Sequence, residues 1–469
     1  MRQTDSLSFV VNYFNEGFSF FNPKLFNLKN VEGRAVCEFP IIYYLTAIMY
    51  NIFGEKEFLL KLINLLIVST GVFLMFRFIR KILNSFIYSI LLSLLLFSST
   101  VFIYYTVNFL PDAGALGFAL IGWYFFFNNY FKKNKIQLIL AFIFFTLSGL
   151  IKVTYFINPL TIVILALIEL IIVKKYDKIS IDDIKKYILL GLISFCIVTS
   201  WNLYVIYYNK LYHSVSFNTK AFPIWNMPKS EISVIWGYIY NYWYSKYFYF
   251  SSFHLIFIAF IFQIIFIRKS DRILSLITII LFFGSLSFLM LFYSQFKDHD
   301  YYFLTFLPSI IFILLNAFNT LKNIFPKIYN NFIPKLVVLI ILVSGINYSK
   351  EKLDQRYENG NDNFSRIGFL LKDIKPQLEI LKIPPASKFI VIPDLTQNGG
   401  LYFLNRKGWN IEGTSENSLN MIPQFIKEGA DYILVCSKEK HLIDFVNQFG
   451  EKVYDNNEIS IFKEHLYKH

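Results

Sequence analysis

The sequence predicts an all-α polytopic membrane protein with a small C-terminal extracytoplasmic α/β domain. Three observations predict it. Of the 469 residues, 55% are hydrophobic and only 16% charged, where a soluble globular chain carries about a quarter. Apolar stretches of roughly twenty residues, the length that crosses a bilayer core, recur along most of the chain. Beyond residue 348 that pattern stops, and charged residues alternate with short β-branched runs.

Residues 1–40 precede any apolar helix. They mix polar and aromatic side chains, without the basic stub and apolar core of a cleavable signal peptide. After them, the length criterion gives about ten spans, near 59–78, 84–106, 113–131, 136–151, 154–173, 187–208, 252–268, 273–294, 301–318 and 334–348. Connections rich in Lys and Arg, around 77–81, 132–135, 174–186, 268–272 and 322–335, alternate with cation-poor ones at 108–112, near Lys152, at 209–251 and at 295–302. The basic connections are expected in the cytoplasm. That places the polar-rich connections outside and, with an even number of spans, both termini as well. An outside start with no span before it has two readings. Either the start is internal to a longer gene product, which we favour, or the first span translocates it as a reverse anchor.

The formal net charge of +13 would suit nucleic acid, but cations confined to short loops between spans are what the positive-inside rule produces. No nucleic-acid partner is expected. Three cysteines, Cys37, Cys196 and Cys436, are too few and too scattered for a disulfide framework or a zinc site. Cys196 lies within a span and reads as a small core residue.

In the tail, Lys388–Asp394 (KFIVIPD) and Asp431–Val435 (DYILV) read as buried strands, with a final strand over Glu458–Phe462. Between the first two, Leu419–Glu428 has helical spacing and Gly429 is a C-terminal stop. The expected domains are therefore a membrane domain, 1–348, and a soluble extracytoplasmic α/β domain, 349–469, of ordinary domain size.

Several short stretches carry more than the pattern of spans. RQTD at Arg2–Asp5 is followed by NYFNEGF at Asn12–Phe18, EFPIIYYL at Glu38–Leu45 and IFGEKEF at Ile52–Phe58. Further on come NFLPDA at Asn108–Ala113, LSGLIK at Leu147–Lys152, KDHDYYFLTFLP at Lys297–Pro308 and, more weakly, GLYFLNRKGW at Gly400–Trp409. In this order they resemble bacterial membrane glycosyltransferases of the dolichyl-phosphate-mannose protein mannosyltransferase type, in the glycosyltransferase C superfamily. The resemblance covers most of the membrane region. It implies an outer-loop active site and a lipid-phosphate sugar donor. The departure is a missing first helix, whose outer end should precede Arg2.

Each candidate residue has a bland reading beside the functional one. Asp5 could be the general base that takes the proton from an acceptor hydroxyl, or the N-cap of an amphipathic helix over Ser6–Phe14; the resemblance favours the base. Arg2 and Gln3 could contact phosphate or sugar, a guanidinium being suited to phosphate, or be disordered at the chain start. Glu38 is a second polar ligand of the pocket or an ordinary loop carboxylate. Asp112, flanked by Pro111 and apolar spans, is expensive unless paired or facing water; a functional role and an ion pair with Lys152 are compatible. Lys152 interrupts an apolar stretch, so it snorkels or binds an anion, a lipid phosphate being the natural one. His299, between Asp298 and Asp300, could bind phosphate or a divalent metal, although two adjacent carboxylates do not easily face one ion together with their histidine. Tyr301 and Tyr302 suit an interfacial aromatic belt or a sugar-stacking platform, and the aromatic loop Trp236–Phe250 is interfacial by default.

No Gly-rich phosphate loop, Ser-His-Asp arrangement or nucleotide fingerprint occurs. A site on the outer face, away from nucleotide sugars, then calls for a polyprenyl-phosphate sugar as donor. The expected partners are that donor, the lipid bilayer and a glycan, lipid or protein acceptor. No cofactor is assigned with certainty, and a divalent metal is left open. The rival class, a transporter or flippase of lipid-linked saccharides, would need ionisable residues deep in several spans or an internal repeat, and neither is seen.

Overall fold

The computed structural model describes residues 2–174, 178–217, 221–358 and 366–465. The chain divides into two compact units. One comprises Lys61–Leu203 and Lys220–Gln355, the other Met1–Leu60, Tyr204–Thr219 and Arg356–His469.

The first unit is built of apolar helices. Among the described residues seven helices are long and apolar enough to cross a membrane: Phe58–Leu83, Val153–Val173, Ile181–Leu211, Phe250–Lys269, Arg272–Leu291, Asp300–Ile324 and Phe332–Glu358. The protein is a multi-pass helical membrane protein, as its composition requires. The expected span over 84–106 is broken: Phe86–Ser98 and Thr100–Thr106 meet at 83°. The break has a local cause. Ser99 adopts an extended conformation and its hydroxyl caps the new helix by accepting from the Phe102 amide at 3.3 Å, while the freed Ser98 carbonyl accepts from the Ser349 hydroxyl at 2.7 Å. The expected spans at 113–131 and 136–151 form helices, Asp112–Lys132 and Lys135–Ile151, but neither meets the spanning criteria. The first is diluted by glycine and asparagine. The second has 17 residues, about 26 Å of helix against a core of about 30 Å.

Close approach of small residues sets the spacing of these helices. A Cβ added to Gly71 would stand 2.7 Å from the Gly117 carbonyl oxygen, so both positions admit backbone-to-backbone contact. Beyond it, Phe78, Trp123, Phe127 and Phe312 interleave, and the buried Trp123 indole donates to Asn158 Oδ1 at 2.8 Å. Cys196 is exposed on its helix rather than in the core. In a membrane span the outward face is apolar too, so burial does not follow from apolar character.

The second unit joins the N-terminal segment to a mixed sheet. Helix α1 (Arg2–Asn15) buries Leu7, Phe9, Val10 and Tyr13. It packs on helix α2 (Ile41–Phe53), with Phe9 stacked on Tyr43 at 5.4 Å. The sheet has strands β1 (Phe389–Ile392), β2 (Gly408–Asn410), β3 (Tyr432–Val435), β4 (Gly450–Asp455) and β5 (Ser460–Glu464), in the order β2-β1-β3-β5-β4. β1 runs parallel to both β2 and β3, and the β5 and β4 side is antiparallel. The expected strands are found within one or two residues. β2 and β4 were not anticipated: one has three residues and the other is an exposed polar edge. The expected helix over 419–428 is two short ones, Glu416–Leu419 and Ile422–Lys427, interrupted just before Pro423. Gly429, at φ +97°, ends the second as a glycine stop should.

The edge of β2 takes an extra partner from the N-terminal segment. The Leu28 amide donates to the Gly408 carbonyl at 2.7 Å, and the Gly408 amide donates to the Phe26 carbonyl at 3.1 Å. Gly408 sits at φ +157° with room for no side chain, since a Cβ would lie 1.8 Å from the Phe389 carbonyl oxygen. A strand edge that would otherwise invite pairing with another chain is thereby covered.

Candidate active site

In the mixed unit, Arg2, Asp5 and Glu38 come together. Helix α1 begins at Arg2, so Asp5 stands inside its first turn and is not its cap. Asp5 is 3% exposed, and neither carboxylate oxygen has a hydrogen-bond partner among the described residues. Burial pushes its pKa from 3.8 up to about 7; Arg2 opposes the shift while Glu38 and Asp394 add to it. Glu38, also buried, pairs with the Arg2 guanidinium, which lies over the Phe217 ring at 4.9 Å. Gln3 lies in the same first turn, partly buried.

Glu38 is held by the loop before α2. Asn209 imitates a strand partner there, its amide donating to the Val36 carbonyl at 2.8 Å and its carbonyl accepting from the Val36 amide at 3.0 Å. On α2 the Tyr43 hydroxyl meets that of Ser6 at 3.2 Å. A buried carboxyl with no hydrogen bond among the described residues, only partly offset by the charge of Arg2, is an arrangement that folding alone does not favour. Such perturbed groups gather at functional sites.

In the helical unit, Asp112, Lys152, Asp300, Tyr301 and Tyr302 form a second group. Asp112 opens helix Asp112–Lys132, where the helix dipole favours a carboxylate. The loop before it is clamped by Asn64, which donates to the Asn108 and Leu110 carbonyls at 2.9 and 3.1 Å. Lys152 sits where helix Lys135–Ile151 ends in extended backbone. Its ammonium lies 2.9 Å from Asp112 Oδ1 and within about 5 Å of the Tyr301 and Tyr302 ring centres. Buried Asp300 accepts from the Tyr105 hydroxyl at 2.7 Å, and Tyr105 is carried by the helix that the Ser98–Ser99 break redirects.

His299 stacks on Tyr302 at 5.8 Å and 16°. Among the described residues no three His, Cys, Asp or Glu side chains gather as a metal would need. Asp298, His299 and Asp300 therefore do not form a donor set.

Sequence reasoning passed over Tyr43, Phe217, Tyr105, Asp394 and Asn398. Only Asp394 had a signal, as the acidic end of a predicted buried strand. The others reach the residues of their own unit through contacts more than thirty residues apart.

Residues 38–204 match the family described as dolichyl-phosphate-mannose-protein mannosyltransferase. Among curated proteins no sequence matches significantly. Solved structures match almost end to end at low identity. Apo ArnT from Cupriavidus metallidurans aligns at TM-score 0.59 and 10% identity, over 98% of this chain and 92% of that one. ArnT bound to undecaprenyl phosphate aligns at 0.56 and 11%, over 98% and 93%. The archaeal oligosaccharyltransferase AglB from Archaeoglobus fulgidus, in complex with an inhibitory peptide and a dolichol-phosphate, aligns at 0.51 and 12%, over 96% and 68%. The resemblance to the mannosyltransferase type thus rests on a sequence match over 38–204, and the fold is similar to those of ArnT and AglB.

Proposed function

We propose that this chain moves one sugar from a polyprenyl-phosphate donor to a hydroxyl of a cell-surface glycan, lipid or protein, with inversion, on the outer face of the cytoplasmic membrane. The observation that carries this reading is the buried Asp5 carboxyl, without a hydrogen-bond partner among the described residues, beside the Arg2–Glu38 pair, in a chain of this fold. Support for the donor class comes from the polyprenyl phosphates bound by fold relatives. Support for the outer face comes from the alternation of basic and cation-poor connections. The tail, 349–469, is read as extracytoplasmic with the site.

In this reaction the acceptor oxygen attacks the anomeric carbon from the face opposite the phosphate. The new C–O bond forms as the bond to the phosphate oxygen breaks, and the phosphate leaves with the electron pair. Asp5 takes the acceptor proton. A base with pKa near 7 combines an adequate ionised fraction with real proton affinity. In the helical unit, taken by itself, Lys152 is read as a phosphate ligand paired with Asp112, Asp300 as a sugar ligand, and Tyr301 and Tyr302 with His299 as a stacking wall. In the mixed unit Arg2, held by Glu38, offers a charge-assisted donor to phosphate. Gln3 supplies an amide to the same end.

Mass spectrometry of surface glycans from cells with and without the gene tests the reading. Loss of one sugar from the surface product is expected. Intracellular accumulation of a whole lipid-linked saccharide would instead point to flipping.

Lys152 has its own test. Lys152→Ala should weaken donor use about tenfold or more, the scale of one charge-assisted contact, and Lys152→Arg should retain part of it because the charge remains. Full activity of both in a donor-titration assay would reduce Lys152 to a structural partner of Asp112.

A further inference from the structure

The loop that follows β1 reaches the helix that bears Asp5. Asp394 is 1% exposed. Its carboxylate accepts from the Thr396 amide at 2.8 Å, the Thr396 hydroxyl at 2.6 Å and the Gly400 amide at 2.9 Å. Three donors on one carboxylate favour the ionised form, against burial that pushes its pKa up. Four residues on, Asn398 is fully buried. Its amide nitrogen donates to the Ser8 hydroxyl, and its amide oxygen accepts from the Phe26 backbone at 3.0 Å. The Ser8 hydroxyl donates in turn to the Thr4 carbonyl at 2.7 Å. Thr4 and Ser8 lie on either side of Asp5 on α1.

We infer that the Asp394–Gly400 loop of the sheet is a positioning element for the proposed base, in which Asn398 fixes the turn of α1 that carries Asp5 and Asp394 sets a second negative charge behind it. The inference rests on the reading of Asp5 as base and gives the sheet a part in the chemistry besides any contact with an acceptor. Burying a polar amide this deeply is favourable only with its bonds made; here both of its described bonds run to the N-terminal segment. The charged groups acting on Asp5 are, in decreasing order, Arg2 from its own helix and the chain's amino terminus, which lower its pKa, and Glu38 from the loop before α2 and Asp394 from the sheet, which raise it. Like charge disfavours ionisation, so Asp394 raises the basicity of Asp5 and Arg2 lowers it.

The experiment is the pH profile of kcat/KM in the full-length protein, using a synthetic polyprenyl-phosphate sugar. For Asp394→Asn the acid limb should move down by roughly half to one pH unit, the scale of one charge acting through partly screened protein. Asn398→Ala removes both bonds to the N-terminal segment and should lower kcat with KM little changed, as loss of positioning does. Because Asp394→Asn loses an acceptor for the Gly400 amide, thermal unfolding is followed alongside, and Asn398→Ala stands as the second arm if the first variant does not fold. An unmoved limb in folded Asp394→Asn, or an unchanged kcat in folded Asn398→Ala, overturns the inference. A wild-type profile with no limb near pH 7 overturns the assignment of Asp5 itself, a separate outcome.

Discussion

Asp5→Asn is expected to abolish sugar transfer while making the protein more resistant to heat at pH 8. The two effects have one cause. Asparagine matches aspartate in size but takes no proton at neutral pH, and loss of a general base costs roughly a hundredfold to ten-thousandfold in rate. In the wild-type protein the Asp5 carboxyl is displaced by burial from 3.8 to about 7, so above pH 7 the folded state holds a charge that prefers water. That displacement is worth about 4 kcal/mol. The sign follows from proton binding. The folded state binds the Asp5 proton more tightly than the unfolded state, so its contribution to stability is present in full below pH 3.8 and lost as pH rises through 7. The asparagine variant lacks this dependence. Its advantage in thermal unfolding should therefore be greatest at pH 8 and vanish towards pH 4. Wild-type transfer by the variant would move the search for the base to Glu38 or Asp112; equal melting at pH 8 would mean that Asp5 is solvated.

Gly408→Ala should collapse the mixed unit. At φ +157° the backbone lies in the region that favours glycine, and the added methyl would overlap the Phe389 carbonyl oxygen. The residue cannot shift freely, because it opens β2, pairs with Phe389 of β1 and bonds both Phe26 and Leu28. A loss on the order of 4 kcal/mol is expected, at the upper end for single substitutions. Limited proteolysis should show cleavage on both the N-terminal segment and the sheet at temperatures where the wild-type protein resists. Unchanged protection would show that the β2 edge carries no such constraint.

Local pattern was enough to read the membrane class, seven of the helices that can span, and the strands β1, β3 and β5, because apolar length and β-branched runs are properties of neighbouring residues. The same pattern could not see the break at Ser98–Ser99, where the hydroxyls of Ser99 and of distant Ser349 redirect a helix inside one apolar stretch. Nor could it see β2, whose three residues become a strand only when Phe389 lies beside them.

Asp5, Arg2 and Glu38 stood out in the sequence as polar residues of a motif, and so did Asp112 and Lys152. What the sequence left open was the state of each group. Asp5 could have been a helix cap; the helix starting at Arg2 and the packing that strips water from its carboxyl decided against that. Asn398 and Asp394 lie nearly four hundred residues from Asp5, and no local signal tied them to it. The sequence by itself determined which residue types were available and where the chain is apolar. Tertiary structure decided which carboxyl is dry, which is paired and which hydroxyl fixes the helix, because desolvation and long-range hydrogen bonds depend on what packs around a group and not on its neighbours in the chain.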